Sequence, residues 1–350
     1  MTNLLSNPTY AGLVDRAAQL PLPWQQLGGC HIVLSGASGM IGSFLVDVLM
    51  TRNAATGLDC TVHALARNAD ALTVRFAPYA GDRHLVIQPV DVTAGPLTLD
   101  AGDFVIHAAS NTHPLAYSQD PIGTITANVQ GTFNMLQLAA RLATRRAVFV
   151  STVEVYGDNR TGTPVTETDM GYIDPNTLRA GYPESKRTGE ALCQAFRSRD
   201  GLDIVIPRLP RVFGPTMRLD DSKALSQFLL RGVAGEDIVL KSAGDQYYSY
   251  CHVADAVGAL LTCLLLGEDG DAYNVAHPSG DIHLKDLAAM VAAAAGTSVV
   301  FDLPSEAERQ GFSAATVAVM DGSKLATLGW TPLYGLADGI AETIQILKGE

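Results

Sequence analysis

Cys30-His31-Ile32-Val33-Leu34-Ser35-Gly36-Ala37-Ser38-Gly39-Met40-Ile41-Gly42-Ser43-Phe44-Leu45-Val46-Asp47-Val48-Leu49-Met50 reads as three elements in a row. The apolar run up to Leu34 has the length and composition of a buried strand, and the residues after Gly42 place their apolar side chains at helical spacing. Three glycines separate them in a G-x-x-G-x-x-G pattern. A strand, a glycine-rich turn and a helix in that order form a dinucleotide-binding crossover. Gly36 permits the tight turn, Gly39 lets the backbone approach a pyrophosphate, and Gly42 lets the helix lie close to the strand. The helix N-terminus turns its N–H groups and positive dipole end towards the phosphates. Ser38, Met40 and Ile41 complete that cradle. The alternative, a glycine turn that merely joins two elements, is disfavoured by the strand and helix on either side.

Working outward, further short apolar runs alternate with helical patterns. Cys60-Thr61-Val62-His63-Ala64-Leu65-Ala66 reads as a second strand and ends at Arg67, with no adjacent acid to hold an adenosine ribose. Arg67 suits a 2′-phosphate, which favours NADP, or lies beside the adenine of NAD, so the choice stays open at this point. Leu85 to Val90 reads as a third strand and delivers Asp91 and Val92. Asp91 is placed either to accept from an adenine amino group or to form a turn. Phe104-Val105-Ile106-His107-Ala108-Ala109-Ser110 ends in small residues that let a ligand lie against the backbone. A striped helix over 128–142 and a fifth strand over 147–150 follow. Strands alternating with helices predict an α/β fold with a doubly wound parallel sheet, which binds its ligands beyond the carboxyl ends of the strands.

Composition narrows the function. The chain has 350 residues, 47% of them hydrophobic and 17% charged, which suits a well-buried core. A net charge of −12 argues against a nucleic-acid partner. Cys30, Cys60, Cys193, Cys251 and Cys263 are scattered and odd in number, which predicts buried thiols in a reducing compartment. His252, His277 and His283 lack metal-ligand spacing, so no metal is expected. No signal peptide is read, and the apolar segment 254–266 is too short to span a bilayer. These features predict a cytoplasmic protein with no membrane partner. A short helix over 10–20 is expected to pack on the outside.

The chemistry-bearing residues cluster after the fifth strand. Ser151-Thr152-Val153-Glu154-Val155-Tyr156-Gly157-Asp158 is followed by Gly181-Tyr182-Pro183-Glu184-Ser185-Lys186-Arg187. A helix over 183–199 puts Tyr182 and Lys186, four residues apart, on one face. A neighbouring ammonium stabilises a phenolate, which makes Tyr182 a general base for a hydroxyl group, and Thr152 can hold the same oxygen.

These pieces, with H-A-A-S-N-T-H-P at 107–114, Y-P-E-S-K-R at 182–187, F-G-P at 213–215, Y-N-V-A at 273–276 and L-G-W-T-P at 328–332, together resemble the extended short-chain dehydrogenase/reductase family. The likeness is to its nucleotide-sugar epimerase, dehydratase and decarboxylase branch. It implies a Rossmann domain (30–206 and 251–267), a smaller C-terminal α/β substrate-binding domain (207–250 and 268–350) and an N-terminal extension (1–29). It also implies a bound NAD, a nucleotide-diphosphate sugar as substrate, and a homodimer formed by helices 128–142 and 183–199. In that family the Thr, Tyr and Lys oxidise C4 of the sugar to a ketone, which places those roles on Thr152, Tyr182 and Lys186. Lys186 also holds the nicotinamide ribose, and Asn128 orders the strand-end region.

The departures from the family pattern discriminate among reactions. In the dehydratase pattern an Asp–Glu pair follows the Thr, whereas this chain has Val153 and Glu154. The decarboxylase pattern has an arginine where Tyr248 stands, so a uronate carboxylate loses its expected partner unless Arg211 or Lys223 replaces it. Arg211 itself stands where an Asn is usual. Asn111, Thr152, Glu154, Arg211, Lys223 and Tyr248 are therefore the candidate substrate contacts, and Lys223, Arg211 and, more weakly, Arg218 are also candidate phosphate partners. Epimerisation at C4 survives both departures and is the expected outcome, with Glu154 either moving a proton beside the ketone or acting as a structural carboxylate. Decarboxylation, 4,6-dehydration, one-way NADPH-dependent carbonyl reduction and a non-catalytic cofactor-binding scaffold are the alternatives.

Overall fold

A computed structural model describes residues 3–110, 112, 119–158, 162–302 and 316–350. Its central sheet begins with β1 (His31–Ser35), β2 (Thr61–Ala66), β3 (Leu85–Pro89), β4 (Phe104–His107) and β5 (Arg146–Phe149). It continues with β6 (Ser151–Thr152), β7 (Ile204–Leu209) and β11 (Ala272–Asn274). The order is β11-β7-β5-β4-β1-β2-β3, with β6 also on β7, and all of these pairings are parallel. The order reverses between β1 and β4, and that switch point opens a crevice at the carboxyl ends. Ile32, Val33 and Leu34 are fully buried because a parallel sheet is covered on both faces. The expected strands are all present, each within a residue or two of its predicted ends, save that β4 stops at His107 and leaves Ala108–Ser110 as the irregular rim.

Three α-helices come first along the chain. α1 (Pro8–Ala18) lies in the N-terminal extension, α2 (Met40–Thr56) follows the glycine turn, and α3 (Ala69–Arg75) follows β2. The helix expected over 128–142 is α4 (Pro121–Arg141), begun about two turns earlier by Asp120, whose side chain accepts from the Gly123 N–H. The helix expected over 183–199 is α5 (Gly181–Asp200), which starts before Pro183, a residue tolerated in the first turn. α4 and α5 pack together on one face of the sheet.

One expectation is corrected. The reading places 273–276 with the smaller part, whereas Ala272–Asn274 pairs in parallel with β7 and completes the central sheet. α1 lies on the outside with one face turned in: Asp15 and Arg16 are exposed, while Tyr10, Leu13, Val14 and Ala17 are fully or almost fully buried. They pack on α2 and on α7 (Val253–Leu266), the helix labelled after α6 (Ala224–Ala234). Burying each larger apolar side chain stabilises the fold by about 1.5–3 kcal/mol. This cover explains why α7 is apolar around its whole circumference.

A smaller sheet joins β8 (Arg211–Phe213), β10 (Tyr247–His252), β12 (Asp281–His283) and β14 (Val317–Ala318). β9 (Ile238–Leu240) and β13 (Val299–Phe301) form a separate pair. α6, α8 (Leu284–Ala295) and, after the short α9 (Ser323–Ala326), α10 (Leu336–Lys348) build the apolar cluster behind them. No helix among the described residues is long and apolar enough to cross a membrane, and all five cysteines are buried free thiols.

Candidate active site

The glycine turn has the shape a dinucleotide requires. Gly36 takes a left-handed φ of 76°, and a Cβ there would lie 2.8 Å from the Ala108 carbonyl. A Cβ on Gly42 would lie 2.3 Å from the Gly36 oxygen, so any side chain would push α2 off the turn. Gly39 caps α2 with no side-chain bond to its first N–H groups. Met40, Ile41 and Gly42 therefore offer backbone donors at the positive end of a 17-residue helix. These residues fit a pyrophosphate without rearrangement.

Arg67 is exposed at the end of β2, and its charge acts on Asp91. Asp91 accepts both the Thr93 N–H (2.9 Å) and the Thr93 hydroxyl (2.7 Å), the geometry of a turn residue. Those bonds, with Arg67 adding a smaller part, hold its carboxyl below the usual range. Val92 is buried, and its carbonyl accepts from Asn134 Nδ2 at 2.7 Å. Ala108 and Ala109 donate to the Ser35 carbonyl and hydroxyl. Ser110 Oγ donates to Asn128 Oδ1 (2.7 Å), Asn128 Nδ2 to Ser185 Oγ (2.9 Å), and Ser185 Oγ to the Tyr182 carbonyl (2.8 Å). Fully buried Asn128 thus ties the β4 rim to the first turn of α5. Asn111 lies outside the described residues.

Tyr182 and Lys186 are both buried on α5. Lys186 donates to the Val150 carbonyl at 2.9 Å and sits 4.9 Å from the Phe149 ring centroid. Burial pushes its ammonium down to about 8, against an opposing pull from Glu190 one turn away. Glu190 is itself anchored, accepting from Ser151 Oγ (2.6 Å) and, through both oxygens, from Arg208 (3.0 and 2.7 Å). β6, β7 and α5 are locked together beneath the lysine by these bonds. An alkaline limb follows: a cation needed at Lys186 makes turnover fall as pH rises through about 8, and a pH–rate profile that keeps rising beyond that point would refute the need.

Thr152 ends β6, and its hydroxyl accepts the Glu154 N–H at 3.3 Å. Glu154 pairs with Arg179 at 2.8 Å, a partner that nothing in the sequence spacing pointed to. Val153 lies in a small apolar cluster with Val165, Ala276 and Met320, which leaves no acid at that position. Arg187 of α5 donates to the Val155 and Gly171 carbonyls and fixes the same segment from below.

The substrate-side candidates divide. Arg218 forms an exposed ion pair with Asp220, a solvated surface charge. Lys223 bonds Asp221 with both its backbone N–H (2.9 Å) and its ammonium (3.1 Å). Arg211 is different: its guanidinium carbon lies 3.4 Å from the centroid of the buried Tyr248 ring. Its Nη1 is buried with no hydrogen-bond partner among the described residues.

The family model for the NAD-dependent epimerase/dehydratase family matches residues 32–276. The chain belongs to that family. It is an NAD-dependent nucleotide-sugar enzyme. UDP-glucuronic acid decarboxylase 5 of Arabidopsis thaliana is 32% identical over 314 residues, covering 89% of this chain and 87% of that one. Among solved structures, UDP-glucose 4-epimerase of Thermotoga maritima superposes with a TM-score of 0.78 at 20% identity, over 91% of this chain and 98% of that one. UDP-glucuronic acid 4-epimerase of Bacillus cereus gives a TM-score of 0.77 at 21% identity, over 91% and 99%. These two likenesses establish the shared fold of the epimerase/dehydratase family member. The reaction has to be argued from its residues.

Proposed function

We propose that this chain oxidises C4 of a nucleotide-linked hexuronate and releases the carboxylate on C5 as carbon dioxide. The observation that carries the reading is Tyr182 and Lys186 buried on one helix face beside the strand end that holds Thr152. Similarity to UDP-glucuronic acid decarboxylases over most of both chains supports decarboxylation above the C4 epimerisation expected first.

Bound NAD supplies a hydride acceptor, held by the glycine turn, the β4 rim and Lys186. Thr152 holds the C4 hydroxyl, and Tyr182 takes its proton, with the Lys186 charge stabilising the phenolate. A ketone at C4 makes the sugar a β-keto acid. The electrons of the bond to the carboxyl carbon pass to the ketone oxygen as carbon dioxide leaves, and a proton then adds at C5. C4 would regain the hydride from the nicotinamide and the proton from Tyr182, so that the product differs from the substrate by carbon dioxide alone. We assign the C5 proton to Glu154, whose carboxylate pairs with Arg179.

Tyr248 in the arginine's place favours epimerisation as the second reading. Incubation with UDP-glucuronate separates the two: the expected product has lost one carbon dioxide by mass, whereas unchanged mass with inverted C4 by NMR would establish epimerisation and refute decarboxylation. A cytoplasmic homodimer through α4 and α5 completes the proposal. Ile122, Ile125 and Leu178, exposed near the starts of those helices, support it.

A further inference from the structure

We propose that Arg211 is the residue that recognises the carboxylate of the hexuronate, using the face of Tyr248 as its platform. This inference rests on the reading above and deepens it, because it names how a site without the arginine expected at position 248 still selects an acidic sugar.

The position is set by the sheet. Leu209, the last residue of β7, is the register partner of Thr152 on β6. Arg211 follows two residues later and opens β8, which pairs in parallel with β10 so that Arg211 lies opposite Tyr250 and beside Tyr248. Neighbouring strands are about 4.8 Å apart and each residue advances the chain by about 3.3 Å, so the Arg211 backbone lies within about 12 Å of Thr152. An arginine side chain spans much of that distance. The sugar end of the substrate, rather than its nucleotide end, is proposed to lie against the guanidinium held on Tyr248.

The electrostatics point the same way. Most arginines of this chain form an ion pair, among them Arg75 with Asp47, Arg146 with Asp203, Arg179 with Glu154 and Arg208 with Glu190. Among the described residues Arg211 has no such partner and no hydrogen bond, yet Nη1 is buried. A buried guanidinium N–H without an acceptor is costly, and a carboxylate that accepts from the fork removes the cost. Stacking on Tyr248 holds the guanidinium plane and leaves its edge to bond. Lys223, the other candidate, already spends its ammonium on Asp221.

The test measures binding of UDP-glucuronate, UDP-glucose and UDP to the NAD-loaded protein by calorimetry, for the native chain, Arg211→Gln and Arg211→Lys. Losing a charged hydrogen-bonding partner weakens UDP-glucuronate about 10- to 100-fold in R211Q, while UDP-glucose and UDP keep their affinity. R211K, which keeps the charge but not the fork, is expected to fall between. Unchanged UDP, which shares no sugar carboxylate, also reports that the variant is folded. Equal weakening of all three ligands would overturn the inference and put Arg211 on the diphosphate. A uronate preference that survives R211Q would overturn it while leaving the hexuronate reading intact. Loss of that preference in R211Q, with native product of unchanged mass, would uphold Arg211 and refute decarboxylation alone.

Discussion

Tyr182→Phe is expected to lower turnover by about 10²- to 10⁴-fold, the range over which a positioned general base contributes, with NAD and nucleotide-sugar affinity little changed. The substitution removes one oxygen and keeps the ring, whose burial on α5 belongs to the core. Lys186 is held by the Val150 carbonyl independently of the phenol, so the role proposed for it at the cofactor ribose is expected to survive. Single-turnover measurement separates the steps. With the native protein, mixing with substrate gives a transient rise in reduced-nicotinamide absorbance, and in the variant that rise slows by the same factor as turnover. A variant that retained more than about a tenth of native turnover would remove Tyr182 from the chemistry. The scaffold alternative would then regain ground. Thr152→Ala is a useful companion, because it deletes the hydroxyl proposed to orient the sugar oxygen without acting as the base.

Much of this arrangement was legible from local pattern. The strand, glycine turn and helix at 31–56 announce themselves because each glycine answers a steric demand within a few residues, as Gly36 and Gly42 do here. Tyr182 and Lys186 fall on one buried helix face because helical periodicity brings residues four apart together. What the sequence could not display are pairings across long separations. Arg179 reaches Glu154 over 25 positions, and Arg208 meets Glu190 from another element. Arg211 was visible only as an odd residue where an Asn was expected; its stacking on Tyr248 depends on the parallel register of β8 and β10. The strand at Ala272–Asn274 was misplaced for a related reason. A three-residue edge strand carries too little periodicity to say which sheet it joins.

Stability depends on a second cluster that the sequence also concealed. Asp47 on α2 is fully buried and accepts from Tyr10 of the N-terminal helix, from Arg75 of α3 and, at 2.9 Å, from Tyr79. Arg75 also donates to the Tyr10 hydroxyl at 3.1 Å, so the carboxylate is the hub joining three segments. Burial beside this charge raises the Tyr10 phenol well above its ordinary range, which keeps it a neutral donor. Replacing Asp47 by Ala leaves a guanidinium and two hydroxyls without their acceptor in a low-dielectric interior. The expected cost is about 3–5 kcal/mol, seen as a lower urea midpoint with little change in slope. Asp47→Asn keeps an acceptor oxygen and should cost less. Tyr10→Phe removes one donor while Arg75 and Tyr79 still hold the carboxylate, so its expected cost is about 1 kcal/mol. A loss below about 1 kcal/mol in the alanine variant would mean that the carboxylate's desolvation offsets its bonds, and that α1 is held by the apolar packing of Leu13, Val14 and Ala17 instead.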